Sequence, residues 1–216
     1  MEQNLSKEIS ILNQYISEIR NVKVQNDRLR FRTNLERIGS VMAYEISKQL
    51  DYKTEKIETP LGIANCKTLN SNLVLASIMR AGIPMHQGLL KVFDHAENAF
   101  ISAYRKHEKD GSFSIKLEYV SKPDLTDKIL ILCDPMLATG ASMGLTYKAL
   151  IQDSKPKHTH IVAAIASSEG IEYMKKNFSK NEMTIWAAAI DDELTAQSYI
   201  VPGLGDAGDL AYGKKL

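Results

Sequence analysis

The chain has 216 residues, of which 44% are hydrophobic and 25% charged, with a formal net charge of +1. That length is ample for one real core, and the charge balance argues against a nucleic-acid binder driven by bulk charge and against an acidic disordered chain. The start, MEQNLSKEIS, lacks the basic and apolar regions of a secretory signal. No apolar run approaches a membrane span, and Cys66 and Cys133 read as inert core thiols rather than a disulfide, so a soluble, cytoplasmic protein with no membrane contact is expected.

In chain order, Leu5, Ile9, Leu12, Ile16 and Ile19 recur at steps of three and four, which predicts an amphipathic helix. Basic and polar NDRLRFRTN follows. A second helix carries Leu35, Ile38, Met42 and Ile46 and ends near Leu50. EKIETPLG and IANCKTL read as short strands around a Pro-Leu-Gly turn. The chain then alternates. NLVLASIM is a buried strand, AGIPMHQGLLKVFDHA a helix, AFISAY a strand and SIKLEYV a hairpin arm. KILILC is a buried strand, SMGLTYKALIQ a helix, HIVAAIA a strand, SEGIEYMKKNF a helix and MTIWAAAI a strand. This repetition of near-continuous apolar strands with helices predicts an α/β fold with a mainly parallel sheet. The last segment, YIVPGLGDAGDLAYGKKL, is too rich in glycine for one regular element. No repeat, linker or low-complexity tract interrupts the chain, so residues 1–216 read as one domain. Its parts are a helical stretch at 1–50, a loop or hairpin at 104–121 and a distinct C-terminal segment at 191–216.

The stretch KILILCDPMLATGASM places chemistry where a buried strand ends. Ligands of open α/β sheets collect beyond the carboxyl ends of strands, and Asp134 falls there. The next helix begins near Thr139 to Ser142, and its first amides lack intrahelical partners, which suits a phosphate. Thr139 and Ser142 add hydroxyl donors, and Gly140 lets the backbone come close. The acid is wrong for a bare phosphate but right for a sugar hydroxyl or Mg²⁺. An ordinary strand-to-helix turn capped by Ser or Thr fits the same residues. The loop is neither the Gly-Lys-Ser/Thr phosphate loop nor a dinucleotide fingerprint.

DPMLATGAS closely resembles the phosphoribosyl-diphosphate (PRPP) loop of type I phosphoribosyltransferases, in the form found in uracil phosphoribosyltransferases. IMRAGIPMHQGLL, ISAYRK and AAIDDELTAQSYIVPGLGDAGD resemble three further segments of that family, and MAYEIS and IETPLG match upstream. The likeness runs in order over roughly residues 20 to 213. It implies the type I phosphoribosyltransferase fold, with helices flanking the sheet and a small hood or hairpin. It also implies the reaction of PRPP with uracil to give UMP and diphosphate, a pyrimidine-salvage step. On the residues that match, Ala138, Thr139, Gly140, Ala141 and Ser142 would hold the 5′-phosphate and Asp134 would face the ribose hydroxyls. Arg80, Ala81 and Gly82 would meet the diphosphate. Arg105 would belong to a mobile lid that excludes water. Tyr199, Ile200, Gly205, Asp206 and Ala207, with Ala138, would form the uracil site, read largely through the main chain, and Arg80, Arg105 and Asp206 would be the catalytic residues. Asp206 would face the diphosphate and the metal side. Mg²⁺ bound mainly through the diphosphate is the implied cofactor. A dimer or larger homo-oligomer and a GTP effector are implied partners.

The chain departs from the family pattern at Ala141, where Gly is usual, at Lys106 and His107, where acids are common, at Leu210, where Arg is common, and at Val22, where a basic residue is expected. An alanine forced to positive φ costs roughly 1–2 kcal/mol, whereas one in the first helical turn costs little. His158 and His160 could hold a metal, but no third ligand is near, and surface histidines are the expected reading. RLRFR, Arg28 to Arg32, could touch RNA; it reads instead as a solvated helix start with Phe31 in the core or a subunit contact. Met42, Met79, Met85 and Met136 read as packing residues. Besides the enzyme, two other functions fit the residues: a regulator of the same fold that senses PRPP or UMP and binds RNA, and a transferase for another base. Near-neutral charge disfavours the first, so no nucleic acid is expected. YIVPGLGDAGD disfavours the second.

Overall fold

A computed structural model describes residues 2–107, 113–179 and 181–214. The chain opens with a short strand, β1 (Glu2–Asn4), and a 3₁₀ turn, Leu5–Lys7. Helices α1 (Ile11–Arg20) and α2 (Arg28–Ser47) follow, then a hairpin of β2 (Tyr52–Thr59) and β3 (Gly62–Leu69). Next come β4 (Leu73–Met79), α3 (Gly82–Leu90), β5 (Glu97–His107), β6 (Phe113–Ser121), β7 (Ile129–Cys133), β8 (Met136–Leu137) and α4 (Ala141–Leu150). The remainder is β9 (His158–Ser167), α5 (Ser168–Asn177), β10 (Met183–Asp191), β11 (Glu193–Leu194), β12 (Ile200–Val201) and α6 (Ala207–Tyr212).

Among the described residues the main sheet runs in the order β1-β10-β9-β7-β4-β5-β6, with β8 extending the pairing to β9. Every pairing is parallel except that of β6 with β5. Helices cover both faces, which is why the central strands are apolar on both sides. Leu75, Ile131 and Val162 pack in one cluster with residues of α1, α2 and α3; Val74, Leu130 and Ile161 pack in another with residues of α4 and α5. The alternation follows from the two-residue period of a strand.

The connections place the site. After β4 the chain passes through α3 to β5 on one side; after β7 it passes through α4 to β9 on the other. The sheet order therefore reverses between β4 and β7, and in open α/β sheets ligands bind beyond the carboxyl ends of strands at such a point. Helix α3 is fixed against α2 with backbones nearly touching. A Cβ on Gly88 would fall 1.9 Å from the Glu36 carbonyl oxygen, and one on Gly39 would fall 2.2 Å from that of Met85. Ser40 Oγ seals this contact by donating to the Gly88 carbonyl at 3.0 Å.

Several expectations are corrected. The first helix starts at Ile11, because Ser10 and Asn13 cap it reciprocally; Leu5 lies in the 3₁₀ turn and Ile9 is fully exposed. The reading of RLRFR as a helix start with Phe31 in the core holds: Asp27 accepts from the Arg30 amide and caps α2, which starts at Arg28, and Phe31 is buried. Cys133 is buried, and burial raises its thiol pKa; Cys66 lies half-buried in the exposed hairpin rather than in the core. Of the two histidines expected at the surface, His160 is buried and His158 half-buried. Trp186 Nε1 donates to His160 Nδ1 at 3.0 Å, His160 is 2% exposed, and the two histidine rings stand edge to face. Among the described residues no helix is long and apolar enough to cross a membrane.

Candidate active site

The candidate site is built from three segments. The first is the turn after β7. The Asp134 amide donates to the Val162 carbonyl at 3.1 Å, and its Oδ1 accepts from the Met136 amide at 3.3 Å. The turn is pressed onto the start of α5. Ser167 Oγ donates to the Ala138 carbonyl and accepts from the Gly170 amide, and a Cβ on Gly170 would lie 2.3 Å from that carbonyl oxygen. Gly140 caps α4 at φ +80°, with Tyr173 packed beneath it. Ala141 is the first residue of α4 and has no positive φ. The departure from glycine there is therefore conformationally harmless. The α4 cap residue provides no side-chain acceptor, so the Ser142 and Met143 amides lack intrahelical partners. Thr139 Oγ1 accepts from the Ala141 amide at a long 3.4 Å.

The second segment follows β4. Arg80 comes directly after the strand, Ala81 caps α3, and Gly82 is the first residue of that helix. A Cβ on Gly82 would meet Ser77 Oγ at 2.7 Å and the Cys133 carbonyl oxygen at 3.1 Å. Glycine thus lets this loop lie against the end of β7, one residue before Asp134. Among the described residues the buried Arg80 Nε has no hydrogen-bond partner, an arrangement that favours an acceptor arriving from outside the chain.

The third segment is the C-terminal run. β11 and β12 form a two-residue ladder, with Ile200 opposite Leu194. Ile200 and Ala207 are buried, and Tyr199 is exposed. Gly203 and Gly205 have φ of +53° and +92°, values only glycine adopts readily. Asp206 caps α6, its Oδ1 accepting from the Asp209 amide at 2.8 Å. A Cβ on Gly208 would lie 3.2 Å from Asp206 Oδ1 and 3.7 Å from Arg80 Nη2. The carboxylate and the guanidinium therefore flank one point. Ala81 and Ala138 pack against the same apolar cluster as Ile200, Leu204 and Ala207. Arg80, Ala81, Gly82, Asp134, Ala138, Thr139, Gly140, Ala141, Ser142, Ile200, Gly205, Asp206 and Ala207 thus sit on three segments that adjoin one another.

Arg105 lies on β5 opposite Ile115. Its side chain, and the expected lid tip at 108–112, lie outside the described residues. Leu210 packs against the core cluster and Val22 is exposed, so neither replaces its expected basic residue with another charge. A hollow beside the turn shares only Thr139 with the site; the Lys175 on its wall is already paired with Glu2 and Glu172. Sequence reasoning missed Arg20, Gln25 and Asp191, which hold the C-terminal turn from behind, and Ser167, which supports Ala138. Asp191 stood inside a quoted segment, but its partner Arg20 comes from the other end of the chain.

A model of the family described as uracil phosphoribosyltransferase matches residues 7–214. A uracil phosphoribosyltransferase from Porphyromonas gingivalis is 54% identical over 213 residues, covering 99% of this chain and 98% of that protein. The structure of the AQ2163 protein from Aquifex aeolicus superposes with a TM-score of 0.88 at 28% identity and covers all of both chains. A hypoxanthine-guanine phosphoribosyltransferase from Bacillus anthracis, 12% identical, shares the fold with a TM-score of 0.51 over 74% of this chain and 81% of its own. The central sheet, the two strand-end loops and these likenesses agree: the chain belongs to the uracil phosphoribosyltransferase family, with the type I phosphoribosyltransferase fold.

Proposed function

We propose that this protein transfers the phosphoribosyl group of PRPP to uracil, giving UMP and diphosphate. The observation that carries the reading is that Arg80 and Asp206 flank Gly208, beside a loop that Gly82 holds against the end of β7. The bond from ribose C1 to the diphosphate oxygen breaks as uracil N1 bonds to C1. The sugar carbon becomes cation-like and the departing oxygen gains charge, so the protein's work is positioning and charge stabilisation.

The roles follow the three segments. The amides of Ser142 and Met143, with the hydroxyls of Thr139 and Ser142, bind the 5′-phosphate. Gly140 and Ala141 allow its approach, and Ala138 borders the base. Asp134 accepts from ribose hydroxyls. Arg80 neutralises the leaving diphosphate, which lies along the backbone of Ala81 and Gly82. Uracil presents acceptor, donor and acceptor along O2, N3–H and O4, a pattern that main-chain groups from Tyr199 to Ala207 can complement. Cytosine would face a donor with a donor, and such mispairing rejects a base by about 10⁴-fold or more. Arg105 closes over the sugar and excludes water.

Mg²⁺ suits this donor set. Among the described residues no group of three or more His, Cys, Asp or Glu could hold a metal by itself. Asp206 offers a hard carboxylate oxygen, which fits an ion bound mainly through substrate oxygens. Bound there, the ion would offset charge on the diphosphate.

The RNA-binding alternative finds no support in the similar proteins, and RLRFR already has internal uses. Arg30 pairs with Glu18 at 2.7 Å, and Arg32 Nη1 donates to the Ala211 carbonyl at 2.8 Å. We read the active form as a dimer or larger homo-oligomer and keep GTP as a candidate effector; light scattering and GTP titration test both. The reaction is tested by mixing protein, Mg²⁺, PRPP and each nucleobase and following nucleotide and diphosphate. UMP formed only with uracil supports the assignment. Binding without turnover, or preference for another base, overturns it.

A further inference from the structure

Behind the C-terminal turn lies a charged pair that none of the roles assigned above uses. Arg20 is the last residue of α1 and Asp191 the last of β10. The guanidinium makes two bonds to the carboxylate, Nη1 to Oδ2 at 2.7 Å and Nη2 to Oδ1 at 2.8 Å. Both groups also hold Gly203. Arg20 Nη1 donates to the Gly203 carbonyl at 2.9 Å, and the Gly203 amide donates to Asp191 Oδ2 at 2.9 Å. One residue is thus gripped at its donor and at its acceptor by a single ion pair. Gln25, 7% exposed, adds Nε2 contacts to the carbonyls of Arg20 at 3.1 Å and Leu204 at 3.4 Å.

We propose that Arg20 and Asp191 are positioning residues for base recognition: the pair fixes the peptide groups of Gly203 and thereby the main-chain pattern of Ile200 and Gly205 on either side. This deepens the uracil assignment and rests on it. Gly203 has φ +53°, and a Cβ there would lie 2.1 Å from the Ile200 carbonyl oxygen, so Gly203 and Ile200 move together. Stability alone is a poor reason for such a pair: Arg20 is 22% exposed and Asp191 8%, and even a fully buried ion pair is often matched by well-packed apolar residues. Holding a donor and an acceptor of one residue is something apolar residues cannot do. The pair reaches the site only through the turn, since neither side chain lies on the PRPP loops.

The test is steady-state kinetics on Arg20→Lys, Asp191→Asn and the milder Gln25→Ala, with Glu18→Gln as a control in the same helix. Lysine keeps the charge but loses the planar fork that makes three bonds at once. Arg20→Lys and Asp191→Asn are expected to raise the uracil KM by about 10- to 100-fold, the scale of a misplaced reactant. The PRPP KM should stay within about twofold, and the preference for uracil over cytosine should narrow by a similar factor. A purely structural tie would lower the active fraction and the melting temperature, as is expected of Glu18→Gln, and leave both KM values alone. That outcome overturns the proposal, as does an equal rise in both KM values. If Asp191→Asn does not fold, Arg20→Lys and Gln25→Ala decide, and an unchanged uracil KM in both counts against the pair. If the wild-type protein makes no UMP from uracil, the uracil assignment fails before any variant is compared.

Discussion

Arg80 Nη2 donates to the Gly213 carbonyl at 3.1 Å and stands 3.6 Å from Asp209 Oδ1. The guanidinium at the end of β4 is therefore aimed by the C-terminal segment, and the proposed diphosphate contact and that segment form one unit. Arg32 completes the hold by donating to the Ala211 carbonyl and standing over the Tyr212 ring. Both partners of the Arg80–Asp209 contact are about a third exposed, so the pair contributes at most about 1 kcal/mol to folding.

Arg80→Ala should accordingly leave the melting temperature almost unchanged while kcat/KM for PRPP falls by roughly 10²- to 10³-fold, the usual loss for one charge-stabilising donor. Arg80→Lys should recover only part of it, because the ammonium cannot reproduce the planar fork. Initial rates at varied PRPP, set beside a thermal melt, check both. A large melting shift with unchanged kinetics would mark Arg80 as structural.

Gly140 and Ala141 are neighbours with opposite tolerances. Gly140 has φ +80°, and a Cβ there would lie 2.7 Å from the Tyr173 ring and 3.0 Å from the Gly170 carbonyl oxygen. Gly140→Ala should lose about 1–2 kcal/mol from the backbone conformation alone and raise the PRPP KM as the turn shifts. Ala141→Gly should change turnover little, because position 141 is already helical. Chemical denaturation and PRPP kinetics on the two variants distinguish the positions. Equal effects would remove the distinction.

The strand-end loops were legible because their signals are local: an apolar run, an acid, then small residues and hydroxyls within one short stretch. The hairpin at 52–69 was legible for the same reason. What stayed hidden depended on partners distant in sequence. Asp191 is read correctly only with Arg20, which lies 171 residues away. His160 looked like a surface residue at a strand start, but Trp186 on the neighbouring strand donates to its ring and covers it. β1 has three residues, too few for any period to register. The first helix was read too long because Leu5 and Ile9 fit its spacing, whereas the Ser10 and Asn13 caps set its start.

Asp206 separates catalysis from folding unusually well. Its Oδ1 caps α6, and asparagine caps a helix about as well as aspartate. Asp206→Asn should therefore melt within a degree or two of the wild type, yet lose most turnover if the carboxylate faces the metal and diphosphate. Rates at several Mg²⁺ concentrations provide the check. Wild-type rates would confine Asp206 to its capping role.

Arg105 stands near the far end of β5, on the strand that pairs with β6. As part of a closing lid it would act after PRPP has bound. Arg105→Ala should then lower kcat by about tenfold or more, with PRPP affinity by calorimetry falling less. Equal losses in rate and affinity would make it an ordinary binding residue, and no loss would remove it from the site.

His160 gives the fold an acid sensitivity separate from the site. Burial, reinforced by nearby His158, pushes its pKa down to about 3, and burial lowers that of His158 as well. An unfolded histidine titrates near 6.5. Between those values the unfolded chain binds the proton and the folded chain does not, so stability is complete above about pH 6.5 and declines as pH falls toward 3. The decline is read most cleanly above about pH 5, before carboxylates contribute. His160→Gln keeps an acceptor for Trp186 and cannot gain charge. It should melt lower at pH 7 but lose less on acidification from 6.5 to 5 than the wild type does. Melting curves across that window test the sign. A variant with the same slope as the wild type would mean that His160 does not set it.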